Sequence, residues 1–438
     1  MSGMLIIGSG AAGISAAEII RKQAPEVEIT LVSEERDGYY SRPGLAYLLT
    51  GEVSENQLYP FMPADFERLH LTRLHGRVVR ILPDKHQVHL QDGRHLDYAR
   101  LLIATGARAI TPRLPGIELN GVVRLDSLEE TRQLMRLTKN NRQAVVVGGG
   151  ITALELVEGL RARRMQVSYL LRGERYWSNV LDDTESVIVE SRLAHEGVQI
   201  YHHTELAEIL GTNGSVNGVR TTGGRIIACD LFGIAVGVAP RKELGETADL
   251  TVEKGILVDD TMQSNLPDIY AAGDVAQVYD PRLGRAIVDS LWHPARVQGR
   301  TAGANMVGQT EHYVKAVPFN VTRLAGIPTT ILGSVGGSER DADVIGIVRG
   351  DSEAWRHRAV GQVVGASNTV NRLRLLVGEH SLLGAVVMGD QRLSRLVYRL
   401  VAGQVELGEL REKLLKPGAP VEALLSEMAA RLGNQEGK

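Results

Sequence analysis

A glycine-rich turn that occurs twice, each time between a short apolar strand and a helix, constrains this sequence more than any other feature. The first turn, Gly8-Ser-Gly10-Ala-Ala-Gly13, follows MLIIG, and the second, Gly148-Gly-Gly150-Ile-Thr-Ala153, follows AVVVG. Another apolar strand comes after each helix, which gives the βαβ unit of a parallel sheet. The turns begin 148 − 8 = 140 residues apart. The spacing predicts a large duplication at the level of architecture.

Both turns have the chemistry of a dinucleotide site. Glycines permit a tight turn and let a pyrophosphate approach the helix N-terminus, where free N–H groups and the helix dipole favour anions. An acid at the end of the next strand binds ribose hydroxyls in such sites, and Glu34, with Glu35 as its alternative, has that position in the first unit. The second unit ends in Arg172 instead. A guanidinium there suits a 2′-phosphate and favours NADP(H), although a solvated arginine at a loop start is the alternative.

The rest of the chain predicts an α/β protein with two Rossmann-like domains, the second inserted in the first, and a C-terminal α+β domain. Proline and glycine at 112–116 and the segment 239–246 mark the crossings. The boundaries expected are 1–115 with 245–312 for the first domain, 116–244 for the second and 313–438 for the third. In the third, PTTILGSV, DVIGIVR, RLRLLVG and LLGAVVMG predict antiparallel strands, and residues 391–430 predict two or three amphipathic helices.

Composition excludes several classes of protein. The single cysteine, Cys229, cannot form an internal disulfide, a CxxC pair or a four-cysteine iron–sulfur site, and its apolar surroundings predict a buried structural thiol. The net charge of −3 gives no reason to expect nucleic acid. No apolar run reaches the roughly 18–20 residues of a membrane span, and no signal-peptide pattern is seen, so a cytoplasmic location is expected. The histidines have no metal-binding spacing, and no metal is expected.

A third motif decides between these nucleotide-binding folds. Ala271-Ala-Gly273-Asp274 is an apolar strand followed by a Gly-Asp turn, which alone is most often structural. However, the order GSGAAG, ATG (104–106), GGGITALE, AAGD, Trp292 and AxxxQGRTAGANM (295–306) resembles the two-dinucleotide-fold flavoprotein reductases of the pyridine nucleotide-disulfide oxidoreductase superfamily. Within them it is most similar to the branch of ferredoxin and rubredoxin reductases, apoptosis-inducing-factor-like proteins and the flavin half of nitrite reductase.

The resemblance covers residues 1–312 and implies FAD in the first domain and NAD(H) or NADP(H) in the second. The residues that it implies for FAD are Gly8, Gly10, Ala11, Ala12, Gly13, Glu34, Glu35, Arg42, Pro43, Val78, Ala104, Thr105, Gly106, Gly273, Asp274 and Trp292. Those implied for the nicotinamide nucleotide are Gly148, Gly150, Ile151, Thr152, Ala153, Glu155, Arg172 and Gly237. Glu155, Tyr47 and Arg42 are the candidate catalytic residues.

Two departures from the family pattern matter. The segment Arg42-Pro-Gly-Leu-Ala-Tyr47 has a tyrosine where ferredoxin-reductase-type members often have a lysine that pairs with the acid matched by Glu155. A buried Glu155 without a cation is expected to have a raised pKa, and the alternative is that Tyr47 simply hydrogen-bonds to it. Residues 36–50 also lack the cysteine of the disulfide, CoA-disulfide and peroxide reductases. Those activities are therefore disfavoured.

The function that the resemblance implies is hydride transfer from NAD(P)H to FAD, followed by electron transfer to a separate carrier of the rubredoxin or ferredoxin type. Two alternatives remain open: a flavin-bound subunit or scaffold of a larger complex with low turnover, and an oxidase that forms hydrogen peroxide. A homodimer or a complex through the C-terminal domain is a further expectation. The acceptor, the choice between NADH and NADPH, and the oligomeric state are not decided.

Overall fold

The computed structural model describes residues 3–140, 142–336, 349–350, 352–356, 360–368 and 371–436. Within these ranges it has eleven α-helices. They are α1 (Ala11–Gln23), α2 (Gly44–Thr50), α3 (Pro63–Arg68), α4 (Leu128–Leu137), α5 (Ile151–Ala162), α6 (Asp183–His195), α7 (Glu243–Glu246), α8 (Trp292–Met306), α9 (Ser394–Ala402), α10 (Glu409–Leu414) and α11 (Val421–Glu436). None of the helices in this part of the chain is both long and apolar enough to cross a membrane.

The strands begin with those of the first two thirds of the chain. They are β1 (Met4–Ile7), β2 (Ile29–Ser33), β3 (Leu71–His75), β4 (Val78–Leu82), β5 (Gln87–Leu90), β6 (His95–Asp97), β7 (Arg100–Ile103), β8 (Ala107–Ala109), β9 (Val122–Val123), β10 (Gln143–Val147), β11 (Gln166–Leu170), β12 (Gln199–Tyr201), β13 (Leu206–Thr212), β14 (Ser215–Thr221), β15 (Ile226–Ala228), β16 (Leu231–Ile234), β17 (Val238–Pro240), β18 (Ile256–Leu257), β19 (Ile269–Ala271), β20 (Ala276–Asp280) and β21 (Arg285–Ile287). The last five are β22 (Phe319–Leu324), β23 (Ile327–Gly333), β24 (Gln362–Asn368), β25 (Asn371–Val377) and β26 (Leu382–Met388).

Two five-stranded parallel sheets have the same plan. The first has the order β3-β2-β1-β7-β19, and the second has the order β12-β11-β10-β16-β9. In each, a central strand leads through a glycine turn into a helix and then into the neighbouring strand, since β1, α1 and β2 match β10, α5 and β11. The two predicted βαβ units are therefore confirmed, and so is the α/β class.

The two segments that connect the sheets lie side by side. Strands β8 and β17 pair as an antiparallel ribbon, with Ala109 opposite Val238 and Ala107 opposite Pro240. The chain leaves the first sheet and returns to it at this one place, close to the two crossings that the sequence predicts. The exact domain boundaries remain predictions.

The C-terminal region is an antiparallel sheet with the order β22-β23-β26-β25-β24, and α9, α10 and α11 follow it in the chain. The strands predicted from PTTILGSV, RLRLLVG and LLGAVVMG and the helices after them are confirmed. Strands β22 and β24 were not predicted. The strand predicted for DVIGIVR falls on residues 343–349, of which 343–348 lie outside the described residues.

The core of the second sheet continues into the first and third regions. Leu45 and Leu49 of α2 share one buried cluster with Leu156 of α5 and with Ile327 and Ile331 of β23. Arg192 of α6 also donates a hydrogen bond of 2.9 Å to the carbonyl of Ala325, in the turn between β22 and β23. The three regions therefore meet at α2 and α5, which carry two of the three candidate catalytic residues.

Candidate functional site

The first glycine turn closes on itself but leaves one side open. A Cβ atom on Gly13 would lie 2.0 Å from the carbonyl oxygen of Gly8, and one on Gly8, whose φ is +113°, would lie 2.2 Å from the carbonyl oxygen of Ala104. A Cβ atom on Gly10 would meet no protein atom within 4 Å. Gly10 is the N-cap of α1, and no side chain caps that helix. Free N–H groups therefore face open space at this helix start.

That space is part of a cavity of about 570 Å³, which is within the range of small-molecule sites. Most residues that the sequence singles out line it. From the first region these are Gly8, Gly10, Ala11, Ala12, Glu34, Glu35, Arg42, Pro43, Tyr47, Val78, Ala104, Thr105 and Gly106. From elsewhere in the chain they are Ile151, Glu155, Gly273, Asp274 and Trp292. Gly8 and Trp292, which are 292 − 8 = 284 positions apart in sequence, are thus brought to one cavity.

Seven of the predicted residues do not line this cavity: Gly13, Gly148, Gly150, Thr152, Ala153, Arg172 and Gly237. Gly13 packs against the backbone of Gly8, so closely that a Cβ atom on Gly13 would not fit. The other six belong to the second nucleotide unit or to the segment that leads back from it. Their roles remain predictions.

The two candidate ribose acids have different partners. Glu35 accepts a hydrogen bond of 2.7 Å from the Tyr40 hydroxyl and forms an ion pair with Arg42. Glu34 forms an ion pair with Arg241, and Arg77 lies 3.8 Å away. Glu35 is therefore tied into the wall beside Arg42, whereas Glu34 is held by guanidinium groups at a more open part of the cavity.

Arg42 belongs to a charged cluster that joins distant segments. It donates a hydrogen bond to the carbonyl of Asp126. Arg349, which follows the C-terminal β23, donates to the same carbonyl at 3.1 Å and forms an ion pair with the Asp126 carboxylate. Both guanidinium groups line the cavity. Two fixed positive charges therefore face whatever occupies it.

Glu155 lies on α5, and the sequence predicts that it lacks the usual lysine partner, because Tyr47 stands at that position. Burial and the nearby Glu158 carboxyl raise the pKa of Glu155 to about 8, while the Arg349 charge acts in the opposite direction. The expected raised pKa is confirmed. The sequence did not predict the influence of the Arg349 charge, because Arg349 comes from a segment that no family motif covers.

Tyr47 does not form the hydrogen bond to Glu155 that was the alternative expected from the sequence. Its ring lies 4.9 Å from the guanidinium carbon of Arg323, a cation–π contact. Within the described ranges, no hydrogen bond joins Tyr47 to Glu155. The hydrogen-bond hypothesis is therefore wrong. The Tyr47 side chain packs instead on Arg323, which β22 brings to this place.

Asp274 follows β19 at the carboxyl end of the first sheet, where ligands bind in folds of this kind. Burial raises the pKa of Asp274, and the charges of Arg349 and Arg42 partly offset that effect. The carboxyl lines the cavity beside Ser290, whose hydroxyl also acts to lower the pKa of Asp274. Both groups are available to the hydroxyls of a sugar-like chain.

The second glycine turn repeats the open geometry of the first. Gly148 has a φ of +144°, and a Cβ atom there would lie 2.2 Å from the carbonyl oxygen of Ala235, whereas one on Gly149 would meet nothing within 4 Å. Gly150 is the N-cap of α5, again without a side-chain cap. Arg172, after β11, lies 4.0 Å from Glu205 and is partly exposed. The start of α5 is therefore accessible to an anionic group.

Cys229 does not line the cavity, and its thiol is in an apolar environment. It is 2% exposed, in the small core behind the second sheet, and burial and Asp230 raise the pKa of its thiol to about 12. A thiol in that state is inert. The prediction of a buried structural cysteine is confirmed.

Comparison with known proteins identifies the family. The model of the pyridine nucleotide-disulphide oxidoreductases matches residues 3–299. The chain belongs to this family. The rubredoxin-NAD(+) reductase of Pseudomonas putida is 31% identical over 309 residues, which cover 70% of this chain and 80% of that protein. An NADH oxidase of Methanocaldococcus jannaschii is 28% identical over 333 residues, 74% of each chain. A ferredoxin reductase from Rhodopseudomonas palustris has the same fold, with a TM-score of 0.84 at 22% identity over 97% of this chain and 99% of its own.

This pyridine nucleotide-disulphide oxidoreductase is thus an FAD- and NAD(P)H-dependent enzyme. The residues fit FAD, because the uncapped helix start at Gly10, the guanidinium groups and the buried carboxyl of Asp274 line one continuous cavity. When bound, FAD supplies the two-electron chemistry. Sequence reasoning missed Arg349, Arg241 and Ser290. No local pattern marks them, since each reaches the cavity from a segment outside the motifs.

Proposed function

We propose that this enzyme takes hydride from NAD(P)H onto FAD in the cavity and passes the electrons singly to a small redox protein of the rubredoxin or ferredoxin type. The observation that supports this choice is the absence of a thiol from the site. The sequence has one cysteine, and it is buried outside the cavity with its pKa raised to about 12. Disulfide and persulfide chemistry needs a reactive thiolate beside the flavin.

For the site, we propose that Gly8, Gly10 and Ala12 bind the FAD pyrophosphate and that Asp274 binds the ribityl chain. Glu34 then binds the adenosine ribose, for which the Arg241 side chain has to move aside. The start of α5 at Gly148–Ala153 receives the nicotinamide nucleotide, and Arg172 favours a 2′-phosphate. We further propose that Arg42 and Glu155, which both line the cavity, orient the two rings, so that the protein supplies position and charge.

The test uses protein loaded with FAD, in the absence of oxygen. Addition of NADH or NADPH should bleach the absorption band of oxidised flavin, and rubredoxin or ferredoxin should restore it at many turnovers. The matched control is Cys229→Ala, which should transfer electrons as the unmodified protein does. Absence of bleaching with both nucleotides, or loss of turnover in Cys229→Ala with the fold intact, would refute the proposal.

An oxidase is the second candidate, because an NADH oxidase is among the similar proteins. One measurement distinguishes an oxidase from a reductase of a redox protein: oxygen consumption with reduced nucleotide, measured with and without the redox protein. Oxygen uptake that exceeds reduction of the redox protein would favour the oxidase. Association through the C-terminal domain stays a prediction, to be tested by the mass of the particle in solution.

A further inference from the structure

Helix α5 has two carboxyl groups on one face. Glu155 lines the cavity, and Glu158 comes three residues later, so that the two Cβ atoms are about 5–6 Å apart. Within the described part of the chain, the Glu155 carboxyl has no hydrogen-bond donor; the charged groups that act on it are Glu158 and Arg349, and Tyr47 lines the same cavity. An unpartnered carboxyl on a cavity wall is free to accept and release a proton.

Glu158 faces away from the cavity toward the protein surface. Its carboxylate accepts a hydrogen bond of 3.0 Å from the backbone N–H of Gly326, in the turn between β22 and β23. Arg323 of β22, Glu52 after α2 and Glu196 after α6 are the other charged groups that act on it, and burial raises its pKa to about 7. Because Glu158 is only partly buried, it can exchange protons with water.

The proposed function leaves a proton to be removed. The C4–H bond of the nicotinamide breaks, and its two electrons and its proton enter the cavity together as hydride. Two one-electron acceptors then take only the electrons, so each NAD(P)H oxidised leaves one H⁺ inside the protein. A base at the cavity wall has to take this proton, and a second group has to carry it to water.

We propose that Glu155 and Glu158 form a proton relay, in which Glu155 passes its proton to Glu158, Glu158 releases it to solvent beside the β22–β23 turn, and Glu155 then takes up the proton left in the cavity. This inference rests on the proposed function. The O–H bond of Glu155 breaks as the O–H bond of Glu158 forms, and the latter breaks as water takes the proton. A new O–H bond then forms on Glu155 as the bond that would hold the transferred hydrogen to the oxidised cofactor breaks, so both carboxyls return to their starting state. Carboxyls one helical turn apart can exchange a proton directly or through one water molecule.

The geometry favours this pair over Asp274, another carboxyl on the cavity wall. Asp274 lies near the guanidinium groups of Arg349 and Arg42, which stabilise its ionised form. The charge of only one of these guanidinium groups, Arg349, acts on the pKa of Glu155, and the carboxyl of Glu158 acts in the opposite direction. Asp274 also has a carboxyl neighbour, Asp289, but Arg349, Arg42 and Ser290 all favour its ionised form, so we assign the proton-sharing pair to α5.

The first experiment measures protonation without turnover. Infrared spectra of the FAD-bound protein between pH 5 and pH 9 should show the C=O stretch of protonated carboxyls that disappears as pH rises. Glu155→Gln should remove the higher-pH component. Glu158→Gln should lower the pKa of Glu155, because the negative neighbour that opposes its ionisation is gone. Glu67→Gln, on exposed α3, is the control and should change neither component.

The second experiment measures proton release. The flavin is photoreduced, so that NAD(P)H is not needed, and the protein is mixed with ferricyanide and a pH indicator in weak buffer. Two ferricyanide ions take two electrons and one proton appears. In the unmodified protein and in Glu67→Gln, the proton should appear as fast as ferricyanide is reduced. In Glu158→Gln and Glu155→Gln it should appear more slowly, by on the order of 100-fold.

A purely structural role for Glu158 predicts a different pattern. The amide oxygen of Gln still accepts the Gly326 N–H, so Glu158→Gln keeps that contact but cannot carry a proton, whereas Glu158→Asp keeps the proton. The relay predicts slow release in Glu158→Gln and near-normal release in Glu158→Asp. Equal release in all variants would overturn it, since the proton then leaves through the cavity mouth. Because photoreduction bypasses the nucleotide, failure of NAD(P)H to bleach the flavin would refute only the proposed function.

Discussion

Gly10 and Gly13 belong to one glycine turn, yet the structure assigns them opposite kinds of importance. A Cβ atom on Gly10 would enter the open space at the start of α1, whereas one on Gly13 would lie 2.0 Å from the carbonyl oxygen of Gly8. We therefore expect Gly10→Ala to lose FAD while the protein still folds. Gly13→Ala should damage the fold itself.

The magnitudes follow from these contacts. At Gly10, with φ −78° and ψ −171°, alanine is sterically allowed. Alanine is a poorer N-cap residue than glycine, which lowers the free energy of unfolding by up to about 1 kcal/mol. Alanine also reduces the conformational entropy of the unfolded chain, which raises the free energy of unfolding by about 0.4–1 kcal/mol. The stability of the FAD-free protein should therefore change by less than about 1 kcal/mol. A phosphate kept away from the helix start loses one or two charge-assisted hydrogen bonds, about 3 kcal/mol or roughly 100-fold in affinity. At Gly13, ordinary contact needs about 3.5 Å, and overpacking of this kind costs about 1–3 kcal/mol or more.

The assay has two parts. FAD is removed, the unfolding temperature of each FAD-free variant is measured, and FAD affinity is then determined by reconstitution and flavin fluorescence. Gly10→Ala should match the parent in the first measurement and fail in the second, and Gly13→Ala should already fail in the first. Retention of parental FAD affinity by Gly10→Ala would refute the assignment of that space to the pyrophosphate.

Three further predictions concern charge. Glu155 ionises near pH 4.5 when unfolded but only near pH 8 when folded, so its contribution to stability is complete below pH 4.5 and is lost as pH rises to 8. Glu155→Gln should therefore gain stability over the parent by about 2–4 kcal/mol between pH 5 and pH 8.5 in thermal or urea unfolding, and a constant difference would contradict this. Arg374→Met leaves the fully buried Glu185 without its 2.8 Å partner and should lower the free energy of unfolding by about 3–5 kcal/mol. Loss of the exposed ion pair between Arg220 and Glu208 is the control and should lower it by less than about 1 kcal/mol. Equal losses in urea unfolding would contradict this prediction. Arg172→Ala should weaken NADPH binding by about 10-fold and leave NADH binding nearly unchanged in flavin-reduction titrations; equal affinity of parent and variant for NADPH would refute a role for Arg172 in 2′-phosphate binding.

The sequence predicted the parts of the site that depend on local chain geometry. A glycine turn between a strand and a helix needs particular residues within six positions, because its backbone groups contact one another, so GSGAAG and GGGITA were recognisable at once. The same holds for AAGD and for the amphipathic C-terminal helices. The raised pKa of Glu155 was also expected, since the family resemblance places this carboxyl in the site and Tyr47 stands where relatives often have a lysine.

Tertiary structure alone decided which charges meet at the cavity. Arg349 lies 307 residues beyond Arg42, and both bind Asp126; Tyr47 packs on Arg323 rather than on Glu155. No spacing rule reports such pairs, because side chains from separate segments meet only after the sheets and the hairpin have packed. Local hydrogen-bond geometry is encoded in neighbouring residues, whereas long-range electrostatics depend on how whole elements are placed.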